Sequence, residues 1–189
     1  MPDHSEQRVA RPMALSEVGL IIDYFHQASP EYLNSLGVDP SRLPDRAQWK
    51  ALWERQFDLP LEQRKTFLVL WELGGDPVGF STSDKIKFGQ EAYMHLHILH
   101  SERRQAGHGV FFVRETARIY FDTLLISQLF CEPYALNAAP NRTLQRAGFK
   151  IHQDPRNRAG AAEFSSARDA VDAREGGYLA RVAPPASQG

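Results

Sequence analysis

Hydrophobic positions along the chain change their period several times, and each change predicts an element. Near the start, "RVARPMAL" (8–15) reads as a short first strand. After it Leu15, Val18, Ile21, Ile22 and Phe25 recur at helical spacing, with Pro30 just past the expected end of that helix. "EYLNSLGVDPSRLP" (31–44) is a turn-rich connection with room for one helical turn. Asp45 followed by Gln48 has the form of a capping box, and it opens a second helix with Trp49, Leu52, Trp53 and Phe57 on one stripe.

From Thr66 the period shortens to that of strands. "TFLVLWEL" (66–73) and "VGFSTS" (78–83) flank the turn signal "GGDP" and predict a β-hairpin. "AYMHLHIL" (92–99) alternates, placing Ala92, Met94, Leu96 and Ile98 on one face and Tyr93, His95, His97 and Leu99 on the other. Val110, Val113, Ala117, Phe121 and Leu124 restore a helical stripe. "SQLFCEPYAL" (127–136) is the next strand, with a break or a free edge near Pro133. "APNRTLQRAG" (139–148) reads as a short helix stopped by Gly148, and "FKIHQ" (149–153) as another strand. The order is that of an α/β (α+β) protein. Residues 1–155 read as a single domain. Residues 156–189 form a polar tail, partly disordered or carrying one last strand at "YLARV" (178–182).

Composition narrows the function classes. With 42% apolar and 24% charged residues and a formal net charge of -1, the chain is an ordinary globular protein with no bulk attraction to nucleic acid or to an anionic membrane. Cys131 is the one cysteine, so no disulfide forms within the chain and a reducing compartment fits. The first residues, "MPDHSEQRVARPM", lack the apolar stretch of a signal peptide, and no apolar run is long enough to span a bilayer. A cytoplasmic location is expected.

The junction "RRQAGHG" (103–109) carries the sharpest chemistry. Two glycines stand between an alternating strand and a helix, where the first N–H groups of the helix have no acceptor within it. Glycine admits positive φ and close approach of a ligand to the backbone, so this loop is suited to holding phosphate. No Gly-Lys-Ser/Thr follows, which excludes a Walker A loop, and the three-glycine dinucleotide fingerprint is incomplete.

The spacing Arg104-x-x-Gly107-x-Gly109 after a strand resembles the pyrophosphate loop of the GNAT superfamily, the acyl-CoA-dependent N-acetyltransferases. A second segment, "LFCEPYALNAAPNRTLQRAGF" (129–149), resembles the family's fifth strand and following helix, with Asn137 eleven residues before the Gly148-Phe149 pair. The resemblance extends from about Thr66 to Lys150 and is only architectural before that. It implies a central mixed, mostly antiparallel sheet that splays after Leu99, flanked by helices. It also implies transfer of an acetyl group from acetyl-CoA, as co-substrate, directly to a primary amine, with no metal.

The resemblance assigns roles by position. Gln105, Ala106, Gly107, His108, Gly109 and Val110 would hold the pyrophosphate, with Arg103 or Arg104 adding local positive charge. The Leu99 N–H would meet the thioester carbonyl and stabilise the oxyanion. Asn137 and Asn141 would lie near the pantetheine arm. Glu132 is the candidate base, because N-terminal-alanine acetyltransferases of ribosomal proteins carry a glutamate at that distance before the asparagine. Many members place a tyrosine seven residues after the asparagine to protonate the thiolate; this chain has Leu144 there, and Tyr134 or water are the substitutes. Tyr93, His95 and His97 would line the acceptor side, and either histidine suits proton removal.

Simpler readings stand beside these. The glycines also suit a tight turn, Arg103 and Arg104 a solvated surface, Asn137 and Asn141 a helix cap, and Glu132 a solvent-facing strand end. Cys131 reads as a small buried residue. His95 and His97 on one strand face raise a metal-dependent hydrolase as a third function, although His100 has the opposite parity and no acidic ligand stands at motif spacing. A catalytically silent acyl-CoA-binding module is the second. The expected partner is the amine, a peptide N-terminus or a small molecule, with no nucleic acid or membrane. A homodimer is plausible if the last strand leaves a sheet edge uncovered.

Overall fold

The computed structural model describes residues 7–36, 38–99, 107–133, 138–152 and 179–182. The chain divides into two compact units, one made of residues 1–12 and 65–189 and the other of Met13–Arg64.

The larger unit contains, among the described residues, a seven-stranded sheet. Its strands are β1 (Arg8–Pro12), β2 (Phe67–Leu73), β3 (Asp76–Lys87), β4 (Glu91–Ile98), β5 (Gln128–Cys131), β6 (Lys150–His152) and β7 (Leu179–Val182), in the spatial order β1-β2-β3-β4-β5-β7-β6. Only β4 and β5 run parallel. The other neighbours are antiparallel, so the sheet is mixed and mostly antiparallel, as the sequence implied. Arg11 ties β1 to β2 by donating from Nε and Nη2 to the two carboxylate oxygens of Glu72, at 3.2 and 2.6 Å. The last strand, β7, inserts between β5 and β6.

Among the described residues, this unit also has two helices, α4 (Gly109–Leu124) and α5 (Ala138–Ala147). One sheet face carries Phe67, Trp71, Ser81 and Ser83, and α4 lies against it. Trp71 stacks on Phe112 with centroids 5.3 Å apart and donates from Nε1 to the Thr116 hydroxyl at 2.8 Å. Tyr120 meets Phe67 edge to face and its hydroxyl is 2.8 Å from Ser81 Oγ. Burial raises the Tyr120 pKa, so the phenol is neutral. Each large apolar side chain buried there contributes about 1.5–3 kcal/mol, and the four polar groups satisfy one another in two pairs. Sequence periodicity found Val113, Ala117, Phe121 and Leu124 of this stripe; Phe112, Thr116, Ile119 and Tyr120 are buried as well.

The smaller unit holds α1 (Gly19–His26), α2 (Pro30–Ser35) and α3 (Arg46–Asp58). Pro30 lies past the end of α1, as the sequence suggested, and also occupies the first turn of α2, behind a Ser29 cap whose Oγ accepts from Tyr32 N. The capping box of α3 forms as its residues predict: Gln48 N donates to Asp45 Oδ1 at 2.8 Å, and Asp45 N to Gln48 Oε1 at 3.4 Å. Trp53 is buried and Leu52 is exposed. Among the described residues no helix is long and apolar enough to cross a membrane.

Candidate active site

The parting of β4 from β5 defines the site. Their register runs from Glu91↔Gln128 to Met94↔Cys131, whereas β4 continues to Ile98 paired, among the described residues, with β3 alone. The gap therefore opens after Met94, earlier than the sequence implied. Leu99 N donates to Val78 O at 3.0 Å, so its N–H is taken up by β3. N–H directions alternate along an antiparallel strand, which turns the amides of Leu96 and Ile98 toward the side β5 has left. The backbone donors facing the gap are thus one residue away from Leu99.

Just before α4, Gly107 has φ +73°, a conformation an L side chain rarely adopts. Gly109 has another reason to be glycine, since a Cβ there would lie 3.2 Å from Thr143 Cγ2 of α5. The first amide bonded within α4 is that of Phe112, which donates to His108 O at 3.2 Å. The amides of Gly109, Val110 and Phe111 point out of the N-terminal end, where the helix dipole is positive. Val110 and His108 are half-buried, and His108 Nδ1 is buried without a hydrogen-bond partner among the described residues. Asn141 is half-buried in the first turn of α5. Arg103, Arg104, Gln105, Ala106, Tyr134 and Asn137 lie outside the described residues.

The sheet face opposite α4 is polar beside the gap. A bulge shifts the β3–β4 register between Asp84 and Lys87, and Lys85 sits within it at φ +47°. Its Nζ lies 4.7 Å from the centre of the Tyr93 ring and 3.8 Å from Glu132 Oε2. Asp84, the register partner of Tyr93, reaches diagonally to His95, with Oδ1 3.1 Å from Nε2. Partial burial pushes the Asp84 carboxyl up, but the hydrogen bond and charge of His95, together with Lys85, leave it below its ordinary value. Tyr93 and Phe130 pack side by side with centroids 4.9 Å apart. Tyr93, His95 and Glu132 are thus brought to one face with two residues that carried no signal of their own in the sequence, Asp84 and Lys85.

His97 shares this face but not its character. Its ring stacks on Phe80 at 4.7 Å. The residue is half-buried, yet Nδ1 has no contact with solvent, and burial, aided by the nearby His95, drives its pKa down to about 3. Cys131 is buried, which pushes its thiol up to about 12, with the Glu132 charge adding; it is no thiolate nucleophile. Leu144 is 1% exposed and packed in the core, so that position supplies no proton donor. No group of three or more His, Cys, Asp or Glu placed to hold a metal ion occurs among the described residues.

The sequence matches no family model and no curated protein. Solved structures do match. Aminoglycoside acetyltransferase AAC(6')-Ib, in complex with coenzyme A, superposes with a TM-score of 0.60 at 14% identity over 94% of this chain and 95% of that one. Spermidine N-acetyltransferase from Vibrio cholerae, in complex with CoA and spermine, gives 0.66 at 11% identity over 93% of each chain. The N-acetyltransferase PseH of Campylobacter jejuni gives 0.56 at 10% identity over 94% and 99%.

The chain has the GNAT fold.

Within the GNAT fold the likeness covers nearly the whole chain, including the stretch before Thr66 where the sequence resembled the family in architecture alone. At 10–14% identity it concerns the arrangement of elements, and any assignment of chemistry rests on the residues described above.

Proposed function

We propose that this protein transfers an acetyl group from acetyl-CoA to a primary amine. The observation that carries the reading is Gly107, held at positive φ two residues before α4, whose first amides face outward. Amides at a helix start suit a diphosphate. Structures with the same fold hold coenzyme A or acetyl-CoA together with amines such as spermine, kanamycin and ribostamycin.

In this reading residues 103–110 hold the diphosphate, and Asn137 and Asn141 flank the pantetheine arm. The thioester lies along the open side of β4, where the Ile98 amide next to Leu99 faces the developing oxyanion. Tyr93, His95 and His97 line the acceptor side. Glu132 or His95 takes the amine's proton, and Tyr134 or water returns one to the thiolate. The acceptor is a peptide N-terminus or a small amine. An α-amino group, with its ordinary pKa near 7.7–8.0, asks less of the base than a lysine near 10.4. The 1–155 domain carries these parts, and the tail contributes β7 to the sheet.

A silent acyl-CoA-binding module is the second reading, favoured by buried Leu144 where many GNAT members have a tyrosine. Thermal shift with acetyl-CoA, followed by a thiol-release assay with spermidine, kanamycin and an alanine-initiated peptide, separates the two. Stabilisation with thiol release supports the transferase; stabilisation without release supports the module. No stabilisation removes both.

A further inference from the structure

The polar face beside the gap holds two carboxylates and two histidines, and the structure pairs them unequally. Glu132 faces the Lys85 ammonium, which itself rests on the Tyr93 ring. A carboxylate is also a weak acceptor for an ammonium proton, with an ordinary pKa near 4.3 against about 6.5 for imidazole, and proton transfer works best when the acceptor's pKa lies near the operating pH. His97 is stacked on Phe80 with its Nδ1 shut away from solvent. His95 is different: its side chain is 39% exposed, and one of its nitrogens meets a carboxylate.

That carboxylate fixes the tautomer. Asp84, held in its ionised form, only accepts hydrogen bonds, so the shared hydrogen belongs to Nε2 of His95 and the lone pair is left on Nδ1. The register of the β3–β4 hairpin explains how two residues eleven apart in sequence meet. Asp84 opposes Tyr93, the bulge at Lys85 interrupts the ladder just beyond it, and its side chain reaches the next residue on the same face.

We propose that Asp84 is a positioning residue that holds His95 as the Nε2–H tautomer, and that Nδ1 of His95 takes the proton of the incoming ammonium. The proposal rests on the acetyltransferase reading and selects His95 over Glu132 within it. The ammonium gives one proton to Nδ1, and the freed lone pair attacks the thioester carbon. The C–N bond forms, and the C–S bond breaks as the tetrahedral intermediate collapses. The nitrogen's second proton goes to the departing thiolate, directly or through water, and imidazolium returns its proton to solvent. Glu132 and the Tyr93 ring then serve as the seat of the substrate cation, displacing Lys85 from it. Among the described residues of this unit, the titratable or charged groups around His95 are Asp84 and Lys85 from β3, Tyr93 and His97 from β4, and Glu132 after β5.

Two measurements on the full chain test this. Long-range 1H–15N correlation spectra of the protein should show His95 as the Nε2–H tautomer, and Asp84→Asn should weaken that preference. With acetyl-CoA and whichever of spermidine, kanamycin or the alanine-initiated peptide releases thiol, Asp84→Asn should lower kcat/KM about tenfold to a hundredfold near neutral pH. It should also move the acid limb of the pH profile, since it removes the carboxylate that Nε2 of His95 meets. The KM for acetyl-CoA should stay unchanged, and Asp84→Glu should restore part of the rate. Glu132→Gln should leave that limb in place. An Nδ1–H tautomer in the wild type, or an acid limb that moves with Glu132→Gln and not with Asp84→Asn, overturns the proposal. Acetyl-CoA binding without thiol release from any acceptor instead overturns the acetyltransferase reading on which it rests.

Discussion

The two faces of the sheet around β3 and β4 are built for different purposes. On the α4 side Trp71, Thr116, Tyr120 and Ser81 pair every buried polar atom with another, and apolar rings fill the rest. On the other side Asp84, Lys85, Tyr93, His95 and Glu132 are grouped within a few ångströms, partly open to water, around a bulge that a packed sheet would not need. A face that only stabilises has its polar groups neutral and closed off. A face that handles a cationic substrate keeps them charged and reachable.

Substitutions sharpen this contrast. Trp71→Ala strikes the packed face, removing a stacked ring and leaving the Thr116 hydroxyl unpaired. It should cost about 3–5 kcal/mol in chemical denaturation, with acetyl-CoA affinity retained by the fraction that folds. Gly107→Asp should weaken coenzyme A binding by about a hundredfold in titration calorimetry, because it sets a carboxylate against the diphosphate and adds a side chain where a ligand would approach the backbone. An unchanged affinity would take the loop out of the site.

His97 tests where the boundary between the faces runs. Its folded-state pKa, about 3, is depressed below its unfolded value. The neutral ring therefore favours folding above roughly pH 6.5, and that contribution is lost as the pH falls from 6.5 toward about 3. Stability should fall by at most about 1.4 kcal/mol per pH unit across that window, less to the extent that the half-buried residue is reached by water. His97→Gln should flatten this slope in denaturation measured against pH, and an unflattened slope would place the acid sensitivity elsewhere. The smallest effect belongs to Glu132→Gln: a severalfold rise in KM for a cationic amine, of order 1 kcal/mol, with coenzyme A affinity unchanged.

Sequence patterns captured the fold's elements because their causes are local. The Asp45–Gln48 box, the alternation of 92–99 and the glycine stop at Gly148 each act within a few residues. Pro30 both follows the end of α1 and opens α2, because a proline suits the first turn of a helix as well as the region after one. The site was less legible. Tyr93 and His95 stand in β4 and Glu132 just after β5, and the family resemblance pointed to them, but Asp84 and Lys85 join them only through hairpin register and a bulge, and neither leaves a trace in a linear pattern. The backbone amide facing the gap was legible only to within one residue. Whether an N–H points to one neighbour or the other depends on that same register.

The central claim is that α4 begins at a site for the diphosphate of coenzyme A. Titration calorimetry of the full chain with coenzyme A and, separately, with pantetheine, which lacks the diphosphate, tests it directly. The expected result is a micromolar dissociation constant for coenzyme A and binding at least about a hundredfold weaker for pantetheine. Equal affinities, or no heat from coenzyme A at about millimolar concentration, would contradict the account.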